Sequence, residues 1–286
     1  MLEIFTKSLK AAHEDKISHL AASITFYALF ALAPVIIIFI SVAGAIFGEQ
    51  AAKGELVNQI QSIVGPEMAS AMQGLVENAA LSQSNIFFTL VSLLILLFAA
   101  SRVVTQLKYA LNHIWKAESS SHKKIHKAVK SKFLSMLAIL GIGLFLVMTL
   151  ITSGILSTVW VYIANFLPIN PSIFQILNLI ISFGLMSFII ALIYKTLPTI
   201  DLKWKDVWAG ALMTTALLMV GNWLIGLYMR HVSVGSVYGA AGSLIIVLSW
   251  LYYISQIFLL GAEYAKVYSQ KKGSHRTFFK KVLDKF

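Results

Sequence analysis

The 286-residue chain is 58% hydrophobic and only 12% charged, with a formal net charge of +11 and no cysteine. A soluble domain carries about twice that share of charge, which excludes a soluble enzyme fold. The lack of cysteine excludes structural disulfides, thiol catalysis and Cys-type zinc or iron–sulfur sites. Five stretches contain no Asp, Glu, Lys or Arg: 17–48, 78–101, 133–194, 207–229 and 231–262, together 173 residues. Each exceeds the roughly 20 apolar residues that cross a bilayer, and none shows the alternating polarity of a barrel strand. The chain therefore reads as an all-α, polytopic membrane protein with six transmembrane helices in a single membrane domain.

Residues 1–19 open it as an N-terminal interfacial helix, with Leu2, Phe5, Leu9 and Ala12 on one face and Lys7 and Lys10 opposite. The acidic residues among them, and the long run that follows, argue against a cleavable signal peptide. The first span is 20–47. Pro34 near its middle removes a backbone hydrogen bond, which makes it a candidate hinge. Residues 48–85 form an extracytoplasmic amphipathic cap. Leu56, Ile60 and Ile63, then Met68, Met72, Leu75, Val76 and Ala79, follow helical spacing on either side of Gly65-Pro66, and the segment is net −3. The second span is 86–107. Spans 133–164 and 172–197 are divided by Asn165-Phe-Leu-Pro-Ile-Asn-Pro171, which is turn chemistry. The fifth and sixth spans are 207–229 and 239–262. Small residues four apart, Gly235, Gly239 and Ser243, precede and begin the sixth and permit close helix approach. A basic tail, 263–286, closes the chain, with Phe279, Val282, Leu283 and Phe286 on one face.

Charge orients the bundle. With both termini cytoplasmic, the inner segments 1–19, 102–132, 195–206 and 263–286 hold 21 of the 23 Lys and Arg, and the outer segments hold 2. That asymmetry follows the positive-inside rule and accounts for the +11 without a nucleic-acid partner. The expected partners are bilayer phospholipids, with anionic headgroups at the basic cytoplasmic face, and envelope proteins. Tyr194, Trp204 and Trp208 are placed as interfacial rings at the inner ends of spans four and five. Trp250 falls in mid-span.

Ionisable groups deep in a span point to transport or proton relay, and here they are scarce. Arg102 and Lys108 fall near the inner end of span two, Arg230 at the outer end of span five, and Glu263 at the inner end of span six. Glu263 reads either as a functional carboxyl or as an interfacial one paired with Lys266. Uncharged polar residues instead form stripes: His19, Ser23, Tyr27, Phe30 and Pro34 on span one, Thr215 and Asn222 on span five, and Ser249, Tyr252, Gln256 and Glu263 on span six. The candidate polar pathway is Ser23, Tyr27, Asn222, Tyr252, Gln256 and Glu263. The alternative is ordinary interhelical hydrogen bonding, worth about 0.6 kcal/mol per contact. Of the seven histidines only His122 and His126 have helical ligand spacing, with no carboxylate between them, and there is no P-loop. No catalytic or metal site is expected, and no cofactor.

Several segments resemble a known family. They are Ala21-Ala-Ser-Ile-Thr-Phe-Tyr-Ala-Leu-Phe-Ala-Leu-Ala-Pro34, Leu107-Lys-Tyr-Ala-Leu-Asn-His-Ile-Trp115, and Ile193-Tyr-Lys-Thr-Leu-Pro198 with Trp204 and Gly210-Ala211. Val237-Tyr-Gly-Ala-Ala-Gly242, Trp250-Leu-Tyr252 and Leu260-Gly-Ala-Glu-Tyr264 complete the set. In wording and order they resemble the YihY/BrkB family. Tyr264-Ala265 departs from the Leu-Asn often found there. The resemblance implies a bacterial inner-membrane protein, and it carries a historical ribonuclease BN label that no residue pattern here supports. The reading that follows is a non-ATPase, transporter-like protein that handles a small solute, ion or lipid in envelope maintenance. A structural scaffold of the envelope is the alternative, and a ribonuclease is the reading least supported.

Overall fold

The computed structural model describes residues 2–31, 86–117, 171–200, 202–231 and 240–271. These form six helices and, among the described residues, no strand. They are α1 (Leu2–Glu14), α2 (Ile17–Ala31), α3 (Ile86–Ile114), α4 (Pro171–Thr196), α5 (Trp204–His231) and α6 (Ala240–Lys271). Pro34, the 48–85 cap, the 133–164 span and the tail beyond Lys271 lie outside the described residues.

Local chemistry sets the ends. α1 stops at a two-residue turn, Asp15-Lys16, in which Lys16 takes a left-handed conformation (φ 50°) and its amide bonds His13 O at 3.1 Å. The His19 amide then bonds Lys16 O at 3.0 Å as α2 begins. α3 ends the same way at Lys116 (φ 49°). α4 starts on Pro171, where a missing N–H costs nothing because the first turn has no acceptor for it. α5 carries Asp206 in its first turn, favourably placed against the helix dipole.

At 1.5 Å per residue, α4, α5 and α6 run about 39–48 Å, longer than the roughly 30 Å hydrocarbon core of a bilayer. Among the described residues, Leu179–Thr196 and Trp204–Leu224 are long and apolar enough to cross a membrane. α6 is the hub. It packs along α5 and also receives α1 and α3, while α4 packs along α5 and reaches α6 through Tyr194.

The surface is apolar and the interior is partly polar, the reverse of a soluble bundle. Phe26, Phe98, Ile176, Ile180, Val220 and Trp223 are exposed, Trp223 at 66%. Buried between the helices are Ser187, Thr214, Thr215, Ser255 and Glu263 beside Leu111, Ile114, Tyr194, Leu202, Val207 and Leu259. In lipid, apolar surface gives helices no reason to associate, so close packing and interhelical hydrogen bonds must do so.

α1 docks by Ile4, Ser8 and Ala12, one residue per turn of a single buried face. Ile4 packs with Tyr264 and Val267 of α6, and Ala209 and Met213 of α5 adjoin them. Phe5 joins this cluster at its edge, whereas Leu9 stays exposed. The helix thus has one face on α6 and a second apolar edge outside.

Candidate functional site: a polar seam and a buried ion triad

Two glycines bring α5 and α6 together. A Cβ at Gly210 would stand 2.6 Å from both Ala265 Cβ and Gly261 O. A Cβ at Gly261 would overlap Thr214 Oγ1 and lie 2.8 Å from the Tyr194 hydroxyl. Higher in the same interface, a Cβ at Gly221 would overlap the Tyr253 hydroxyl. None of these positions has space for a side chain.

Hydroxyls fill the gap that the glycines leave. Tyr194 from α4 donates to Phe258 O on α6, and its oxygen lies 2.9 Å from Thr214 Oγ1 on α5. Thr214 donates to Gly210 O at 2.8 Å. Two hydroxyl protons therefore serve three contacts, and this ties α4, α5 and α6 at one level. Two turns earlier on α4, Ser187 donates to Thr215 Oγ1 at 3.0 Å, and Thr215 to Ala211 O at 3.0 Å. Tyr253 donates to Leu217 O at 3.0 Å. Tyr194, placed by the sequence at the lipid interface, is instead fully buried. Its ring stands 4.9 Å from that of Phe258, and its hydroxyl finds partners inside the bundle rather than at headgroups.

Two residues beyond Gly261 the interface becomes ionic. Glu263 is 0% exposed. Lys266, one turn on, donates to Glu263 Oε2 at 3.0 Å and to Asp15 Oδ2 at 2.8 Å. Asp15 comes from the α1–α2 turn, so the ammonium joins the connection between the first two helices to the last described helix. Glu263 Oε1 is buried and no donor among the described residues reaches it, so its hydrogen bond with Asp15 forms only when one of the two carboxyls is protonated. Burial pushes the Glu263 carboxyl up to about 8, the nearby Asp15 carboxyl adds to the rise, and Lys266 opposes it. Burial would also raise Asp15, but its hydrogen bonds with Glu263 and Lys266 outweigh that and hold it below the usual carboxylate range.

The pathway candidates are distributed as follows. Glu263 sits in the triad. Tyr252 is half-buried against the main core cluster, and Gln256, one turn on, is half-buried too. Asn222 is half-buried, with Oδ1 enclosed and lacking a hydrogen-bond partner among the described residues. Ser23 is half-buried and donates to His19 O at 3.2 Å; Tyr27 is half-buried with its ring 5.5 Å from Phe26. A recess of about 570 Å³ at the α4–α5 turn is lined by Lys195, Leu202, Lys203, Trp204 and Lys205, none of them a pathway candidate. Among the described residues no three His, Cys, Asp or Glu side chains are grouped to hold a metal ion; His122 and His126 lie outside that set.

Sequence reasoning found Glu263, Lys266 and Thr215. It missed Asp15, Tyr194, Thr214 and Ser187, whose importance arises only from the helices they face. Gly210 and Gly261 were visible only as parts of the motifs that carry the family resemblance.

Helices of this length, apolar outside and joined by hydroxyls and small residues inside, define a helical membrane protein. The family model described as Virulence factor BrkB matches residues 8–282, and the chain belongs to that family. It is 28% identical over 260 residues to a UPF0761 membrane protein of Albidiferax ferrireducens, covering 88% of this chain and 59% of the relative. A UPF0761 membrane protein of Verminephrobacter eiseniae is 26% identical, covering 87% and 58%. One of Tolumonas auensis is 26% identical over 184 residues, covering 62% and 56%. The chain thus spans just under three fifths of the length of the curated relatives it matches. No solved structure matches it.

Proposed function

We propose that this BrkB-family membrane protein is transporter-like: it handles a small solute, ion or lipid at the bacterial inner membrane without ATP hydrolysis. In this reading six helices span the bilayer, both termini are cytoplasmic, and the triad lies at the cytoplasmic end of α6. The 21-to-2 distribution of Lys and Arg supports that orientation.

The observation that carries the reading is Glu263: a carboxyl with no exposure, at the end of a membrane-length helix, with one oxygen unpartnered. Purely structural packing has no use for such a group, because an unpaired buried polar atom costs about 1–3 kcal/mol. Membrane proteins keep ionisable groups of this kind where something is bound or moved. Asn222 repeats the pattern in α5 with a second enclosed, unpartnered oxygen. The remaining candidates, Ser23, Tyr27, Tyr252 and Gln256, would line the path between these two levels, with Pro34 as the hinge.

The test is ion and lipid-analogue flux in proteoliposomes, comparing the intact protein with Gln256→Ala and Glu263→Ala. Flux above empty liposomes that falls at least tenfold in the variants supports transport. Background flux in all three samples refutes it and leaves the envelope scaffold, whose partners would dock on the basic inner face.

A further inference from the structure

Counting charges in the triad leads to a more specific ligand. Two carboxyls, Asp15 and Glu263, share one ammonium, Lys266. If both carboxyls were ionised, the pocket would hold one negative charge without compensation. Glu263 is entirely enclosed, and the Lys266 and Asp15 side chains are only 11% and 13% exposed. An uncompensated charge in such surroundings is strongly disfavoured by lost solvation, so the neutral state of the pocket contains one additional cation.

Among the described residues the neighbouring helices do not provide it within the pocket. α4 and α5 face this stretch of α6 with Tyr194, Thr214 and Gly210, all uncharged, and the buried charged residue of α5 one turn before Gly210 is Asp206, an acid rather than a cation. The charged groups acting on Glu263 are Asp15 and Lys266. Lys116, at the exposed end of α3, acts on Asp15 from the solvent side. Lys271 and Lys7 are engaged with Glu3 at the surface.

We propose that the Asp15–Lys266–Glu263 pocket is a proton-binding site, in which Glu263 carries one exchangeable proton and Asp15 and Lys266 hold the carboxyl in place. The unpartnered Oε1 is where the proton sits, since Oε2 accepts from Lys266. Oε1–H donates toward Asp15, the carboxylate that remains ionised. On release the O–H bond breaks, the electron pair stays on Glu263, and the proton leaves to water by the partly exposed Asp15–Lys266 edge. As the coupling ion of a transporter this proton rests on the transport reading; as a binding site it does not.

The experiment is infrared difference spectroscopy of the purified protein in nanodiscs, titrated from pH 6 to 10. A protonated-carboxyl C=O band should disappear with a midpoint near 8 and be absent in Glu263→Gln. Asp15→Asn removes the second negative charge and should lower the midpoint by about one pH unit or more. Lys266→Met removes the compensating cation and should raise it. No titrating band in this range, a band that survives Glu263→Gln, or a midpoint insensitive to both Asp15→Asn and Lys266→Met would each overturn the site. The two midpoint shifts decide the matter even where Glu263→Gln fails to fold. A positive titration with background flux in proteoliposomes would remove the transport reading and leave the proton site intact.

Discussion

Replacing Gly261 with alanine should separate the helices at the seam. The added methyl group would occupy the space of Thr214 Oγ1 and stand 2.8 Å from the Tyr194 hydroxyl and 3.0 Å from Thr214 Cβ. Thr214 cannot simply rotate away, because its hydroxyl is bonded to Gly210 O at 2.8 Å. Nor can α5 shift freely, because Gly210 already lies close to Ala265 and Gly261 O. Overpacking of this kind costs about 1–3 kcal/mol. Displacing the Tyr194 hydroxyl from Phe258 O adds about 1 kcal/mol, since a buried hydrogen bond contributes roughly that much. The expected loss is about 2–4 kcal/mol, or roughly 5–15 °C in apparent Tm for a chain of this size. Thermal unfolding of detergent-purified protein, followed by fluorescence, reads it directly. Thr214→Ala removes the overlapping oxygen and leaves its Cβ, so the double variant Gly261→Ala/Thr214→Ala should be more stable than Gly261→Ala alone. A Gly261→Ala protein with unchanged Tm would refute the close crossing. A double variant showing the simple sum of the two single losses would show that Thr214 is not what the methyl group meets.

Stability should also depend on pH with a definite sign. Glu263 is raised from an ordinary 4.5 to about 8 in the folded chain, so its contribution is fully present below about 4.5 and is lost as pH rises through 8. Tm should therefore fall between pH 5 and 9, and Glu263→Gln should flatten that slope; a Tm rising over the same range would contradict the assignment. Asp15 is shifted down, so its contribution is present above its ordinary value and is lost as pH falls through its lowered one. Asn112 Oδ1 accepts from the Thr199 amide at 2.8 Å and the Thr199 hydroxyl at 3.1 Å. Asn112→Ala should free the α4–α5 turn and accelerate proteolysis near 197–203 several-fold, with little change in helix content by circular dichroism. Gly221→Ala, whose methyl group would overlap the Tyr253 hydroxyl and stand 2.2 Å from its ring carbon Cζ, should lower Tm, and pairing it with Tyr253→Phe should recover only part of the loss because the ring carbon remains.

The helices were legible because a bilayer imposes a minimum run length, and runs can be counted. The span expected at 172–197 is the helix Pro171–Thr196, and the span expected at 207–229 lies within Trp204–His231. α6 exceeds its expected 239–262 by nine residues, to Lys271. Hydropathy ends where charge begins, but the helix continues because α1 packs on that extension through Ile4, Tyr264 and Val267. The seam was less accessible. A hydroxyl in an apolar run looks the same whether it bonds its own helix, as Thr25 does to Ala21 O at 2.8 Å, or a neighbour, as Ser187 does. Tyr194 stands beside Lys195 and before Pro198, a setting typical of an interface, and only the proximity of Gly261 shows that it turns inward. The pairing of Glu263 with Lys266 followed from spacing, whereas Asp15 is 251 residues from Lys266 and nothing local marks it as their partner.

That separation has a consequence for biosynthesis. At about 5–20 residues per second, the ribosome completes Lys266 on the order of tens of seconds after Asp15. Throughout that time the α1–α2 turn carries a carboxylate whose counter-ion does not exist. The N-terminal helix must wait, solvated or on the membrane surface, and its exposed Leu9 edge suits the second of these. The ionic clasp, like the neighbouring Ile4–Val267 packing and the Lys271–Glu3 pair, is thus among the late tertiary contacts of the described helices, and its closure would mark the docking of the N-terminal helix on the end of α6.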